Sequence, residues 1–426
     1  MNTVMIVSGE SSGELYGSLL AQALKSKCPD LHILGVGGDR MKRAGVELIS
    51  GISGAFGLAE LSSSLMDLRA AFNKITEAMR KFMPHVLVLI DFPDFNLRVA
   101  EFAKKLGIKI LYYVSPQVWA WRKSRVRKIA RLVDMMAVVL PFEAEIYRKA
   151  GVPYEFVGHP IIEEIETVLK STNPPIPPFT KNSPPPPFTK RGKGRITDSR
   201  LTTFDLSLDA LSPELRKFFK TSLGLYANQP LLSLLPGSRP HELKRLLPLM
   251  IEVIRQLKKE FRDYQFCIPL SPNTNEGRYS HYLEALRQEG AIIRKGESIR
   301  ALAASDLAVI ASGTATLQAA FLEVPMVVVY RLSLSSYLLG RLFINVKYIS
   351  LVNILSGRGV VPELIQHRAS PEGIIRELKK IMVDMPYREE MTKMYRRIKE
   401  PFLGLRASKR VTEMITEMAG WEQKKQ

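Results

Sequence analysis

Cysteine is almost missing from this chain. Cys28 and Cys267 are the only two in 426 residues and lie far apart, which excludes a disulfide framework and a cysteine metal cluster and suits a reducing compartment. Metal-ligand spacing is missing too: His32, His85, His159, His241, His281 and His367 are scattered and no H-x-x-x-H occurs. Chemistry without a metal or other cofactor is the expectation. No apolar run approaches the roughly 18 residues needed to cross a bilayer. The start, an apolar stretch Val4 to Val7 with Glu10 close behind, has none of the parts of a signal peptide. A soluble protein, or one lying on a membrane, is expected. Acid is the scarcer charge, with 42 Asp and Glu against 61 Lys and Arg and a net charge of +19. That sign points to an anionic partner: nucleic acid, a phosphorylated substrate or an acidic membrane surface.

What is present is a chain long enough, and at 46% hydrophobic apolar enough, for two domains with full cores. Apolar stretches alternate with helical patterns: Val4–Val7, a helix from about Glu14, Leu31–Val36, Val86–Ile90, Ile108–Val114 and Met135–Leu140. The alternation returns after residue 230 in LLSLLPGSR, QFCIPL, DLAVIASGT and PMVVVYRL. Such alternation predicts βαβ units, so the fold class expected is α/β, as two successive Rossmann-like halves. The divisions are 1–168, a linker 169–222, 223–366, and C-terminal helices 367–426. Those last helices are rich in Lys, Arg and Glu, and either pack back on the first domain or pair with a partner subunit, so a homodimer stays open. Within the linker, Asn173 to Gly194 repeats PPFTK; such a proline-rich, polar segment builds no core.

The run Val86-Leu87-Val88-Leu89-Ile90 is continuous rather than alternating, as in a strand covered on both faces. It ends in Asp91, at the strand edge that lines the ligand crevice of open α/β sheets; a helix cap or a turn tie is the plainer alternative. Asp94 is expected to cap the following helix. The first turn, VSGESSGELYG, has no G-x-G-x-x-G spacing, and Glu10 would repel a pyrophosphate. It reads as a tight loop for sugar hydroxyls, or as a glycine turn capped by Ser11 or Ser12. In the second half, Gly237-Ser238-Arg239 follows a buried strand and precedes a helix, where backbone N–H groups and a guanidinium suit phosphate oxygens; Arg239 pairing with Glu242 on the surface is the alternative. Ser312-Gly313-Thr314 repeats that geometry, and Gln318 lies one helical turn on, within reach of a ribose. SPQVWAWRKSRVRK sets Trp119 and Trp121 among basic residues, which suits base stacking, lipid heads or a buried tryptophan pair.

Together these stretches resemble one family, the lipid-A-disaccharide synthases. The matching segments are SGESSGELYG, GVGGDRM, IDFPDFN, YYVSPQVWAWR, LPFE, FVGHP, LLPGSR, ASGTATLQAA, PMVVVYR and YISLVNIL, spread over nearly the whole chain outside the proline-rich insert. The resemblance implies the GT-B arrangement, two Rossmann-like domains facing across a cleft. It implies inverting transfer from UDP-2,3-diacylglucosamine to 2,3-diacylglucosamine 1-phosphate, releasing UDP, in lipid A (lipopolysaccharide) biosynthesis on the cytoplasmic face of the inner membrane. It further implies that Asp91 is the general base. The UDP site would comprise Gly237, Ser238, Arg239, Ser312, Gly313, Thr314, Gln318 and Asn353, and the acceptor site Gly9, Glu10, Ser12 and Gly13. The family usually carries glutamate where this chain has Gln318. Leu58 to Met83 has apolar residues at helical spacing with basic ends, either an amphipathic membrane helix or a core helix. The rivals are another UDP-sugar enzyme of cell-envelope synthesis and, from a different class, a basic nucleic-acid-binding protein; the resemblance implies no nucleic acid.

Overall fold

The computed structural model describes residues 2–9, 11–51, 63–116, 118, 125–171, 211–332 and 347–421. Glu10, Trp119, Trp121 and the insert 173–194 lie outside them. The chain forms two compact units, residues 1–161 with 404–426, and residues 162–342 with 346–403.

The first unit holds a seven-stranded sheet in the order β3-β2-β1-β4-β5-β6-β7. Its strands are β1 Thr3–Ser8, β2 His32–Gly37, β3 Glu47–Gly51, β4 Val86–Ile90, β5 Lys109–Tyr113, β6 Met135–Val138 and β7 Tyr154–Phe156. Neighbours run parallel throughout. Every residue of Val86–Ile90 is 0% exposed, because helices cover both sheet faces, and this is why the run is continuous. Burying each such side chain contributes about 1.5–3 kcal/mol. β1 lies between β2 and β4, with Ser8 opposite Ile90, so strand order reverses beside β1 and the crevice of the doubly wound sheet opens there.

The second unit repeats the winding in six parallel strands, order β10-β9-β8-β11-β12-β13. They are β8 Leu231–Leu235, β9 Gln265–Leu270, β10 Ala291–Lys295, β11 Leu307–Ala311, β12 Met326–Tyr330 and β13 Glu363–Ile365. Here the order reverses between β8 and β11.

The C-terminal helices, grouped as 367–426 on sequence, divide between the units. Pro371–Val383 and Met385–Lys399 stay with the second, through Lys379 to Glu260 at 2.6 Å and Lys399 to the buried Glu323 at 3.4 Å. Ala407–Ala419 joins the first unit of its own chain: Lys27 Nζ donates to Thr416 Oγ1 at 3.2 Å, and Lys109 Nζ donates to the Met418 carbonyl at 2.6 Å. Arg410 adds an ion pair with Glu155. At the other boundary, the helix Ile161–Lys170 falls almost wholly in the second unit, although the sequence division placed it in the first.

The amphipathic stretch resolves as well. In the helix Ser63–Phe82, Ala71, Ile75 and Met79 are at most 2% exposed and belong to the first unit's core. Phe72 meets Phe95 edge-on at 6.4 Å. From Leu68 to Phe82 the apolar stripe therefore faces protein, as the core-helix alternative expects; residues 58–62 and the side chains of 63–67 lie outside those described.

Candidate functional site

At the first sheet's switch point, the turns after β1 and β4 lie side by side. Gly9 follows β1, and a Cβ there would sit 2.6 Å from the Phe92 ring. Only glycine lets that ring lie against the turn. Ser12 and Gly13 fall in the first turn of the helix Ser11–Lys27, and a Cβ on Gly13 would touch Ile90 at 3.4 Å. The sequence-predicted acceptor residues among the described ones are thus brought next to the end of β4, where Asp91 stands. Glu14, in the same helix, turns inward: 5% exposed, it accepts from the Arg40 backbone N–H at 2.9 Å and so holds the start of the helix Asp39–Arg43.

Asp91 and Phe92 are both left-handed, at φ +50° and +45°. For non-glycine residues that conformation costs about 1–2 kcal/mol each, and it persists only where surroundings enforce it. Asn96 Nδ2 donates to the Asp91 carbonyl at 2.7 Å and to that of Ile90 at 3.2 Å, and the Tyr112 hydroxyl donates to the Asp91 carbonyl at 2.6 Å. Burial, and then the charge of Asp91, push the Tyr112 pKa far above the usual phenol value; the hydroxyl stays protonated and remains a donor. The N-cap position of the next helix, Pro93–Lys105, is held by Phe92. Asp94, expected as the cap, lies in the first turn and its carboxylate accepts from the Arg125 guanidinium.

His159 of the FVGHP motif is neutral. Burial takes its pKa down to about 3, Nδ1 accepts from the Ile161 N–H at 3.2 Å, so the proton sits on Nε2, and Tyr16 meets the ring edge-on at 5.7 Å.

At the second switch point, Gly237 to Arg239 follow β8 and Ser312 to Thr314 follow β11, so these two sets come together as expected. Their backbone donors are not all open. The N–H groups of Ser238 and Arg239 both donate to Glu242 Oε2, each at 3.0 Å. Gly237, at φ +90°, makes that convergence possible, and a Cβ there would collide with the same carboxylate. Glu242, 6% exposed, closes a capping box on the helix Pro240–Glu260. The two N–H groups expected to meet phosphate are thus engaged by Glu242 in this structure. Arg239 is the N-cap residue of that helix, and its charge is felt at Tyr330, on the end of β12, whose pKa burial raises.

Ser312 Oγ donates to the Ile349 carbonyl at 2.9 Å. Thr314 begins the short helix Ala315–Phe321 and makes no side-chain cap bond. Gln318, 8% exposed, donates through Nε2 to Glu164 Oε2 at 3.2 Å, a contact across 154 positions that sequence did not reveal. Asn353, expected at the nucleotide, is 1% exposed and its amide is fully engaged. Oδ1 accepts from the N–H groups of Val360 and Val361 at 2.7 and 2.9 Å. Nδ2 donates to the Val361 carbonyl and to Glu363 Oε1 at 2.9 and 2.8 Å. Glu363 also accepts from the N–H groups of Ile349 and Ser350, both at 2.9 Å. Asn353 thus shapes the wall beside Ser312. Glu363, Glu164, Tyr112 and Asn96 were not singled out on sequence, and Glu242 was named only as a surface partner of Arg239; pairings across 10 to 154 positions leave no local pattern in a single chain. Among the described residues, no three His, Cys, Asp or Glu side chains converge as metal ligands.

Two parallel sheets of the same winding, each with its polar turns at the reversal of strand order, are the GT-B fold. The fold matches a UDP-GlcNAc 2-epimerase from Neisseria meningitidis solved with UDP-GlcNAc, at TM-score 0.66 over 98% of this chain and 100% of that one. At 11% identity this is a likeness of fold alone.

The chain belongs to the lipid-A-disaccharide synthase family and is a glycosyltransferase of lipid A synthesis. A family model described as lipid-A-disaccharide synthetase matches residues 4–173 and 208–413. A lipid-A-disaccharide synthase of Syntrophus aciditrophicus is 39% identical, over 89% of this chain and 88% of its own. That of Myxococcus xanthus is 36% identical over 97% of both.

Proposed function

We propose that this chain moves the sugar of UDP-2,3-diacylglucosamine onto 2,3-diacylglucosamine 1-phosphate, giving the β-1,6-linked disaccharide 1-phosphate and UDP with inversion. The Asp91 carboxylate takes the proton of the acceptor's 6-hydroxyl as that oxygen bonds to the anomeric carbon of the donor. The bond from that carbon to the diphosphate breaks, and its electron pair leaves with UDP. Arg239 and the Ser312–Thr314 turn meet the charge that develops on the diphosphate, with Gln318 at the ribose. Gly9, Glu10, Ser12 and Gly13 border the acceptor.

The observation that carries this reading is the position of Asp91: half-buried, at the carboxyl end of β4, left-handed, and next to the glycine turn after β1. Both substrates are lipids with anionic groups, and the chain carries a net charge of +19. We therefore place it peripherally on the cytoplasmic face of the inner membrane. Among the described residues, no helix is long and apolar enough to cross a membrane.

The test is turnover by purified protein in detergent with both lipid substrates, with and without a chelator, following the disaccharide and UDP. Formation of both products supports the reading. Folded protein that binds UDP yet makes no disaccharide would assign it a different UDP-sugar reaction.

A further inference from the structure

The groups that fix Asp91 are distinct from those that border substrate in the reading above. Tyr112 stands near the end of β5, the strand next to β4, with 0% exposure. Asn96, also 0% exposed, lies in the first turn of the helix Pro93–Lys105. Both direct donors at one atom, the Asp91 carbonyl oxygen, at 2.6 and 2.7 Å.

Two features set this arrangement apart from ordinary core packing. Asn96 Oδ1 is buried without a hydrogen-bond partner. A buried orphan acceptor is a cost that an apolar side chain of similar size avoids, so the carboxamide has its place for what its Nδ2 donates to. Second, Asp91 and Phe92 are consecutive left-handed residues without a glycine between them. The chain holds that turn with three hydrogen bonds aimed at the carbonyls of Ile90 and Asp91.

We propose that Tyr112 and Asn96 are positioning residues: by gripping the Asp91 carbonyl they hold its peptide left-handed and thereby fix the direction of the catalytic carboxylate. This rests on Asp91 being the base. Rotation of that peptide swings the carboxylate away from the acceptor hydroxyl, and displacement of a reacting group by about 1 Å lowers turnover by on the order of a hundredfold.

Tyr112→Phe removes one donor and keeps the ring; Asn96→Leu removes the other with an apolar side chain of similar volume. Each is expected to lower kcat by about ten- to a hundredfold, with KM for both substrates and the UDP dissociation constant within about twofold. Neither should lower turnover further when added to Asp91→Asn, since there is then no base left to aim. A folded Tyr112→Phe with unchanged kcat overturns the proposal, as does an equal loss in the Asp91→Asn background, which marks a general structural effect. If Tyr112→Phe fails to fold, Asn96→Leu decides by the same criteria. Full turnover in Asp91→Asn alone removes the base and the positioning proposal together. That outcome is told apart from failure of the positioning proposal alone, where Asp91→Asn is inactive and both positioning variants are normal.

Discussion

The turns at the two switch points occupy equivalent places in equivalent sheets, yet they are held by opposite chemistry. In the first unit, neutral donors from Tyr112 and Asn96 hold carbonyl groups of a left-handed turn. In the second, the Glu242 carboxylate holds the N–H groups of Ser238 and Arg239, and Glu363 holds those of Ile349 and Ser350 in the wall beside Ser312. The first arrangement fixes where an acid side chain goes. The second keeps backbone donors converged around a resident negative charge, so the proposed diphosphate site relies on the Arg239 guanidinium more than on the N–H pair already engaged by Glu242. Strain sits with the candidate acid, and hydrogen-bond saturation sits with the wall.

Asp91→Asn gives the widest separation between the two sites. Turnover should fall by on the order of 10²–10⁴-fold, while calorimetric UDP affinity stays the same; weakened UDP binding would join the two sites into one. Asn353→Ala acts on the other side of the comparison. It leaves the buried N–H groups of Val360 and Val361 without their acceptor, so stability should drop by about 3 kcal/mol, seen as a lower thermal midpoint. A stable variant would mean that the saturated wall is not what holds the second turn.

Arg239→Ala should raise the UDP dissociation constant by about ten- to a hundredfold, the worth of a charge-assisted contact, and leave the thermal midpoint nearly unchanged. An unaltered constant would return the diphosphate to the N–H groups and require Glu242 to move aside. The smallest effect is expected from Gln318→Glu. It replaces the donor to Glu164 with a like charge, and should destabilise by about 1 kcal/mol. A gain in stability would show that Glu164 is not the partner that suits glutamine here.

Much of the frame was visible in residues close together in the chain. The continuous run before Asp91 announced a strand covered on both faces, and the apolar-to-polar changes at Ser312 and Gly237 located turns at strand ends. The short strands β3, β7, β10 and β13 were not foreseen, because edge strands of three to five residues carry too little apolar periodicity to stand out. The helix Ser63–Phe82 shows a related limit. An apolar stripe has the same spacing whether lipid or protein covers it, and only the packing of Ile75 and Met79 into the core told the two apart.

By itself, then, the sequence determined the α/β alternation, the two-domain plan, the family and the candidate acid, since each is encoded in local periodicity or contiguous motifs. The tertiary structure decided what surrounds them. Glu164 meets Gln318, Tyr112 meets the Asp91 carbonyl, and Ala407–Ala419 returns to the first unit. These pairings join residues far apart in the chain, and hydrogen-bond geometry at a site exists only once the strands that carry it are side by side.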